Sequence, residues 1–274
     1  MDLNPNVFAN VDAAEYHKAT RDGLYLSSHM LADFRKAPLL YKRKLSGEIE
    51  QTESPALVLG RALHVLVLEG RARFEQEYLV SSGPVNAKTG EPFGRNTKAY
   101  REWAAAQKKE IVSGSDFALM SKMRESVWAH PVASELLDEG LPEQTVRTTC
   151  CGEPCQARLD WFRPDYCGTP IIVDLKSTET LDYFEGDARR FGYVHQLAFY
   201  REVLRIASGG GIVPDCYLVA VEKREPMRCG VWKLTDGLLE SCAVENGRAI
   251  AELRKCRSEN AWPTRTEDMM ILDV

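Results

Sequence analysis

Two short runs of this sequence place charged groups where a strand would ordinarily be apolar. The run PIIVDLKST, residues 170–178, reads as a strand from its β-branched content, yet it carries Asp174 and Lys176 two residues apart. Side chains alternate across a strand, so this acid and this lysine share one face while Val173 and Leu175 share the other. In EPCQARLDWFR, residues 153–163, Gln156, Arg158 and Asp160 point one way and Ala157, Leu159 and Trp161 the other. Paired as a hairpin through RPDYCGTP, these strands bring Asp160 and Asp174 together near one end. Two neighbouring carboxylates repel each other unless a proton or a cation intervenes, and oxygen donors suit a hard ion such as Mg²⁺ or Mn²⁺. A lysine on the same face can hold a water or stabilise negative charge developing on a phosphate. The set is suited to metal-assisted hydrolysis of a phosphodiester. D-x-K alone would also serve as a salt-bridging surface, but Asp174 stands in an apolar strand where unpaired charge is costly.

Two helical pairs and one further acid extend the constellation. His64 follows Gly60 by four residues in the apolar run SPALVLGRALHVLVLEG, so both lie on one helix face. Gln196 and Tyr200 are likewise four apart in YVHQLAFYREVLRIASGGG and aim at one patch. Glu143 opens the strand EQTVRTTCCG, where it can serve as a further acid near a metal or as a cap or surface residue. Asp165 sits in a literal Pro-Asp, but Pro164, Gly168 and Pro170 make it a turn residue. The cluster Cys150, Cys151 and Cys155 lacks a second pair or a nearby His to complete a tetrahedral zinc site, so these read as small residues of a strand and turn.

The elements that must hold these residues follow from pattern. Ser27 and Ser28 are candidate caps for a helix running to Pro38, and residues 54–70 form a helix too apolar for a surface. Residues 71–95 contain SSGPVNAKTGEPFGR, a turn-rich loop and the best candidate for a mobile segment. NTKAYREWAAAQKKEI and SDFALMSKMRESVWAH read as helices, the first basic through Lys98, Arg101, Lys108 and Lys109. After Pro142 the pattern changes to three antiparallel strands, a helix, two strands (DCYLVAVEKREP and RCGVWKLTD) and a closing amphipathic helix. This order predicts an α/β or α+β layered fold with a mixed sheet, as one domain over 1–274 with a helical part at about 15–140 and the catalytic sheet and helices at about 141–274.

Composition sets the outer limits. The chain has 274 residues, 44% of them apolar, and a net charge of −5, so no overall basic excess announces a polyanion binder. No run approaches a membrane span and the N-terminus lacks the parts of a secretion signal, which points to the cytoplasm and to eight reduced cysteines.

On these motifs the sequence resembles the PD-(D/E)XK nuclease superfamily, and within it the phage-type exodeoxyribonuclease VIII (RecE-like) exonucleases. GRALHVLVLE is similar to the family's GxxxH helix, CQARLDWF to the strand of the first catalytic aspartate, IIVDLKST to the (D/E)xK strand and HQLAFY to the QxxxY helix. The N-terminal stretch 16–45 is also similar to the segment that introduces the nuclease domain. Leu159 replaces the proline for which the superfamily is named. The resemblance implies a restriction-endonuclease-like core, a central mixed sheet flanked by helices, and Mg²⁺ held by His64, Asp160, Asp174 and the carbonyl of Leu175, with Mn²⁺ as a substitute. It implies catalytic roles for Asp160, Asp174, Lys176, Gln196, Tyr200 and Glu143. Cys229, Cys242 and Cys256 are too scattered for the iron–sulfur cluster of some related nucleases, and none is expected. The implied activity is degradation of one strand of linear double-stranded DNA, 5′ to 3′, by a ring-shaped homo-oligomer, leaving 3′ overhangs for recombination by a single-strand annealing protein. Ser28, Arg35, Lys36, Lys42 and Arg43 are candidates for the 5′ phosphate or backbone, or else a solvated basic face. An endonuclease, a Cas4-like end-processing nuclease and a catalytically silent DNA-binding module remain the alternatives.

Overall fold

The computed structural model describes residues 4, 7–9, 11–49, 54–269 and 271. A short strand β1 (Phe8–Ala9) precedes the helices α1 (Ala13–Arg21), α2 (Ser28–Lys36), α3 (Pro38–Leu45) and α4 (Pro55–His64). A π-helical turn, Val65–Glu69, continues α4 to Gly70, and then come α5 (Arg71–Glu77), β2 (Tyr78–Val80), α6 (Lys98–Ala105), β3 (Glu110–Val112), α7 (Gly114–Ala129) and α8 (Pro131–Leu136). The second half holds β4 (Leu141–Cys150), β5 (Glu153–Tyr166), β6 (Thr169–Thr178), α9 (Phe184–Arg190), α10 (Tyr193–Ala207), β7 (Asp215–Glu222), β8 (Cys229–Lys233) and α11 (Asp236–Glu259).

Of the two candidate caps of α2, Ser27 is the one used and Ser28 is the first helical residue; the side chains of Ser27, Ser54, Thr97 and Ser113 each accept a backbone N–H from the first turn of their helix. Proline at the first position of α3, α4 and α8 uses a site that has no intrahelical N–H partner anyway.

Six strands form one sheet in the order β1-β4-β5-β6-β7-β8. The expected meander is present: β4 pairs antiparallel with β5 and β5 with β6. β6 and β7 are parallel, which requires a crossover, and α9 and α10 supply it. The sheet is therefore mixed and carries a separate apolar cluster on each face. Ile172, Leu218 and Ala220 pack with Phe34, Leu197, Tyr200 and Leu253 on the side of α2, α10 and α11. Val173, Leu175, Val219 and Val221 pack with Leu63, Val67, Met123 and Val127 on the side of α4 and α7. This is strict alternation along β6 and β7, and it explains why both strands read as continuous apolar runs.

Two local expectations are corrected. Residues 71–95 begin with α5 and β2 rather than loop, and NTKAYREWAAAQKKEI is a helix only to Ala105, with β3 beyond it. β2 and β3 pair in parallel over three residues each, Tyr78 opposite Glu110 to Val80 opposite Val112. Such short strands carry no alternation long enough to read.

Candidate active site

The β5–β6 ladder stops at Trp161 opposite Val173, one residue before both acids. Beyond that point the strands diverge into a fork, because each finds other partners. On β5, Leu26 bridges Cys155, donating its N–H to Pro154 O at 2.8 Å and accepting from Gln156 N at 3.0 Å. On β6, the N–H of Leu175 is taken by Asp160 Oδ2 at 3.2 Å and its carbonyl by His64 Nε2 at 2.7 Å. One backbone residue thus ties the first aspartate, the D-x-K strand and the apolar helix together.

That carbonyl can only accept, so His64 Nε2 carries the proton and Nδ1 presents a lone pair. Burial, reinforced by Lys176, pushes the His64 pKa down to about 4, so the ring is neutral at neutral pH. Its Nδ1 faces Asp160 Oδ2 at 3.4 Å. Two electron-rich atoms in that position call for a cation beside them.

Glu143 completes this side of the fork. Its backbone is left-handed, φ 55°, at the third residue of β4, a conformation that costs a non-glycine residue roughly 1–2 kcal/mol. Neighbouring residues keep their pairing, Pro142 with Trp161 and Gln144 with Leu159, so the distortion is confined to the position opposite Asp160. Arg158 Nε lies 2.6 Å from Glu143 Oε2. Burial raises the Glu143 pKa despite Arg158, with Asp160 and Glu69 adding to the effect. His64, Glu143 and Asp160 each offer a ligand atom, and these atoms lie within 4.8 Å of one another.

Asp174 and Lys176 enter from the other face of β6. The Asp174 side chain is fully buried, and neither of its oxygens receives a well-directed hydrogen bond. Lys176 Nζ lies 2.5 Å from Oδ2 as an ion pair. Burial nevertheless raises Asp174 to about 6; Lys176 opposes that shift and the charge of Asp160 adds to it. Lys176 itself is held charged: burial works against it, but Asp174 and Asp160 outweigh that and raise its pKa.

These observations fit a hard divalent cation, since a buried carboxylate with no well-directed hydrogen bond and a lone pair facing a carboxylate are both relieved by one. The residues placed to hold it are His64, Glu143 and Asp160, with Asp174 and the second lone pair of the Leu175 carbonyl adjoining.

α10 closes the opposite side. Gln196 Nε2 donates to Tyr200 Oη at 2.8 Å, and Tyr200 is buried, so its hydroxyl stays protonated far above its ordinary range. The ring of Tyr193 lies 4.9 Å from Lys176 Nζ. Tyr193 escaped the sequence reading, although positions 193, 196 and 200 form one i, i+3, i+7 stripe. Arg158 was missed as a partner of Glu143; its signal was its place two residues before Asp160 on the same strand face.

The expected DNA-binding residues are dispersed. Ser28 begins α2 directly after the Leu26 bridge, buried and with its Oγ unpartnered. Arg35 donates to Asn246 Oδ1 between α2 and α11. Lys36 and Arg43 are exposed, and Lys42 contacts Asn260 Oδ1 at 3.4 Å and the Trp262 ring. Of the cations that make the α6 region basic, Lys98 pairs with Glu102 at 3.6 Å, Arg101 donates to Asn96 O, Lys109 donates to Glu75 O and Lys108 is exposed. Asp165 accepts the N–H of Gly168 at 2.8 Å, as a turn residue does.

A mixed sheet forked at an Asp and an Asp-x-Lys, with a Gln-bearing helix across one face, defines a PD-(D/E)XK-type nuclease fold. The model for the PDDEXK-like domain of unknown function (DUF3799) matches residues 27–273, and the chain belongs to that family. Among solved structures, the fold is similar to a crystal structure described as a "Putative exonuclease" from Eubacterium rectale: TM-score 0.65, 15% identity, covering 97% of this chain and 96% of that one. No curated protein matches the sequence. Among the described residues, no helix is long and apolar enough to cross a membrane.

Proposed function

We propose that this protein is a metal-dependent exodeoxyribonuclease of the cytoplasm that degrades one strand of linear double-stranded DNA, 5′ to 3′, and leaves 3′ single-stranded overhangs. The observation that carries the reading is the fork: Asp160, Asp174 and Lys176 converge where β5 and β6 part, and the buried Asp174 carboxylate, ion-paired with Lys176, receives no well-directed hydrogen bond. Mg²⁺ or Mn²⁺ bound there would neutralise charge on the scissile phosphate and make a water nucleophilic at neutral pH. Lys176, held charged by the two aspartates, orients the attacking water and balances charge on the phosphate. Glu143 and His64 would share the ion with Asp160 from one side. Gln196, braced by Tyr200, faces the substrate from the other.

The similarity to a protein described as an exonuclease supports end-directed cutting, and the resemblance to RecE-like enzymes supports 5′ to 3′ polarity, a homo-oligomeric ring and hand-over to a single-strand annealing protein in recombination. Ser28, Arg35, Lys36 and Lys42 are the residues assigned to the 5′ end and the backbone. Linear duplex labelled at either the 5′ or the 3′ end of one strand tests polarity. Immediate release of a labelled mononucleotide from the 5′-labelled end supports the reading; release from the 3′-labelled end first contradicts it.

A further inference from the structure

The chain leaving the catalytic strand makes a corner that the hydrolytic residues do not use. After β6, α9 and the start of α10 bring Arg189, Arg190, Phe191 and Tyr193 together. Gly192 makes the turn between the helices at φ 73°, a left-handed conformation that a side chain would strain, and the Arg35 guanidinium lies 3.5 Å from the place where a Cβ would stand. The turn sets the rings of Phe191 and Tyr193 5.9 Å apart at 34°, and Tyr193 in turn covers Lys176.

The outer end of this row faces solvent. Phe191 is 55% exposed, and the Arg190 guanidinium lies 5.4 Å over its ring. Arg189 and Arg190 are exposed and pair with no acid among the described residues. Glu185 and Asp187 lie further up α9, where Glu185 accepts from the Trp232 indole at 3.3 Å. An exposed Phe beside two unpaired arginines adds little to the core, so its place in the fold is not explained by burial. Aromatic faces in line and flanked by cations are what an unpaired nucleic-acid strand requires, since its bases stack and its phosphates need positive charge. The row also ends at the lysine assigned to catalysis.

We propose that the α9–α10 corner binds the unpaired DNA strand, with Phe191 as a platform for one base and Arg189 and Arg190 contacting phosphates as the strand reaches or leaves Lys176. The proposal rests on the nuclease reading of the fork and adds a positioning surface to it. Charge favours this occupant over a second copy of the chain, whose net charge of −5 supplies no comparable line of phosphates.

The test uses the full chain with Asp174→Asn as the non-cutting parent, in calcium, and measures the fluorescence anisotropy of a labelled oligothymidylate of about 12 nucleotides, within the span of single-strand binding sites. Phe191→Ala should weaken binding about tenfold, the loss of one stacked base. Phe191→Trp should restore it, which a merely structural role would not. Arg189→Glu with Arg190→Glu should weaken it at least as much and flatten its salt dependence. Melting temperatures of the variants serve as the folding control. The proposal is overturned if the parent binds no oligothymidylate, if both sets of variants bind as the parent does, or if Phe191→Ala changes the assembly's mass, which would mean that a second copy covers the corner. Cutting of linear duplex by the unmodified chain in Mg²⁺ is scored separately: no cutting with normal oligothymidylate binding defeats the nuclease reading and leaves the binding corner standing.

Discussion

The Asp174→Asn variant should be more stable than the unmodified protein when metal is removed, the reverse of what deleting a buried charge partner usually does. Asp174 is fully buried, its oxygens receive no well-directed hydrogen bond, and even with Lys176 as an ion-pair partner its pKa rises from 3.8 to about 6. The folded chain therefore keeps this proton up to about pH 6 while the unfolded chain releases it near 3.8. Between those values the folded state binds more protons, so stability falls as pH rises, and the loss is complete above about pH 6. A shift of about 2 units at 1.36 kcal/mol each amounts to roughly 3 kcal/mol. The buried amide of Asn gives part of that back, which leaves about 2 kcal/mol, or roughly 4–8 °C in melting temperature for a chain of this size. Thermal melts at pH 8 in EDTA read the difference directly. Adding Mg²⁺ should raise the melting point of the unmodified protein, because binding to the folded state stabilises it, and should move the variant much less. An Asn variant that melts lower in EDTA, or a Mg²⁺ shift equal in both proteins, would refute the view that the fork is built to be completed by a cation.

Three further outcomes follow from the same geometry. Lys176→Met should reduce the cleavage rate by about 10²–10⁴ with DNA affinity nearly unchanged, measured by single-turnover hydrolysis beside binding in calcium. Glu143→Gly should be about 1 kcal/mol more stable than Glu143→Ala, because only glycine relieves the left-handed φ of 55°, and both should require more Mg²⁺ for half-maximal cutting. Glu222 is buried and accepts the N–H of Leu181 at 2.8 Å and the Arg228 side chain at 2.6 and 2.9 Å; its pKa is pulled to about 2, chiefly by those Arg228 hydrogen bonds. Its contribution is therefore present in full above about pH 4.5 and is lost as pH falls towards 2, so Glu222→Gln should lower stability at pH 7 and converge with the unmodified protein in acid.

The β4–β6 meander, the crossover helix and the D-x-K face were legible in the sequence because each spans enough residues for its period to emerge. The pairs Asp174/Lys176 and Gln196/Tyr200 needed only the geometry of a single element. What local pattern could not express is where pairing stops. The fork depends on Leu26, more than a hundred residues before Cys155, occupying the edge of β5, and on Asp160 and His64 capturing the backbone of Leu175. Glu143 was ambiguous for a related reason. Its role comes from a left-handed residue inside a strand, and an isolated glutamate gives no sign of it. Arg35 looked like one more cation of a basic helix, and only the tertiary packing of α2 on α11 gives it Asn246 as a partner.

The central claim is that Asp160, Asp174 and Lys176 form a metal-dependent centre acting on DNA ends. It is tested most directly by incubating linear and nicked-free circular duplex DNA with the protein in Mg²⁺ or EDTA, beside Asp174→Ala. The account predicts loss of linear DNA in Mg²⁺ only, intact circles throughout and no degradation by the variant. Cutting of circles, cutting in EDTA, or equal cutting by Asp174→Ala would contradict it.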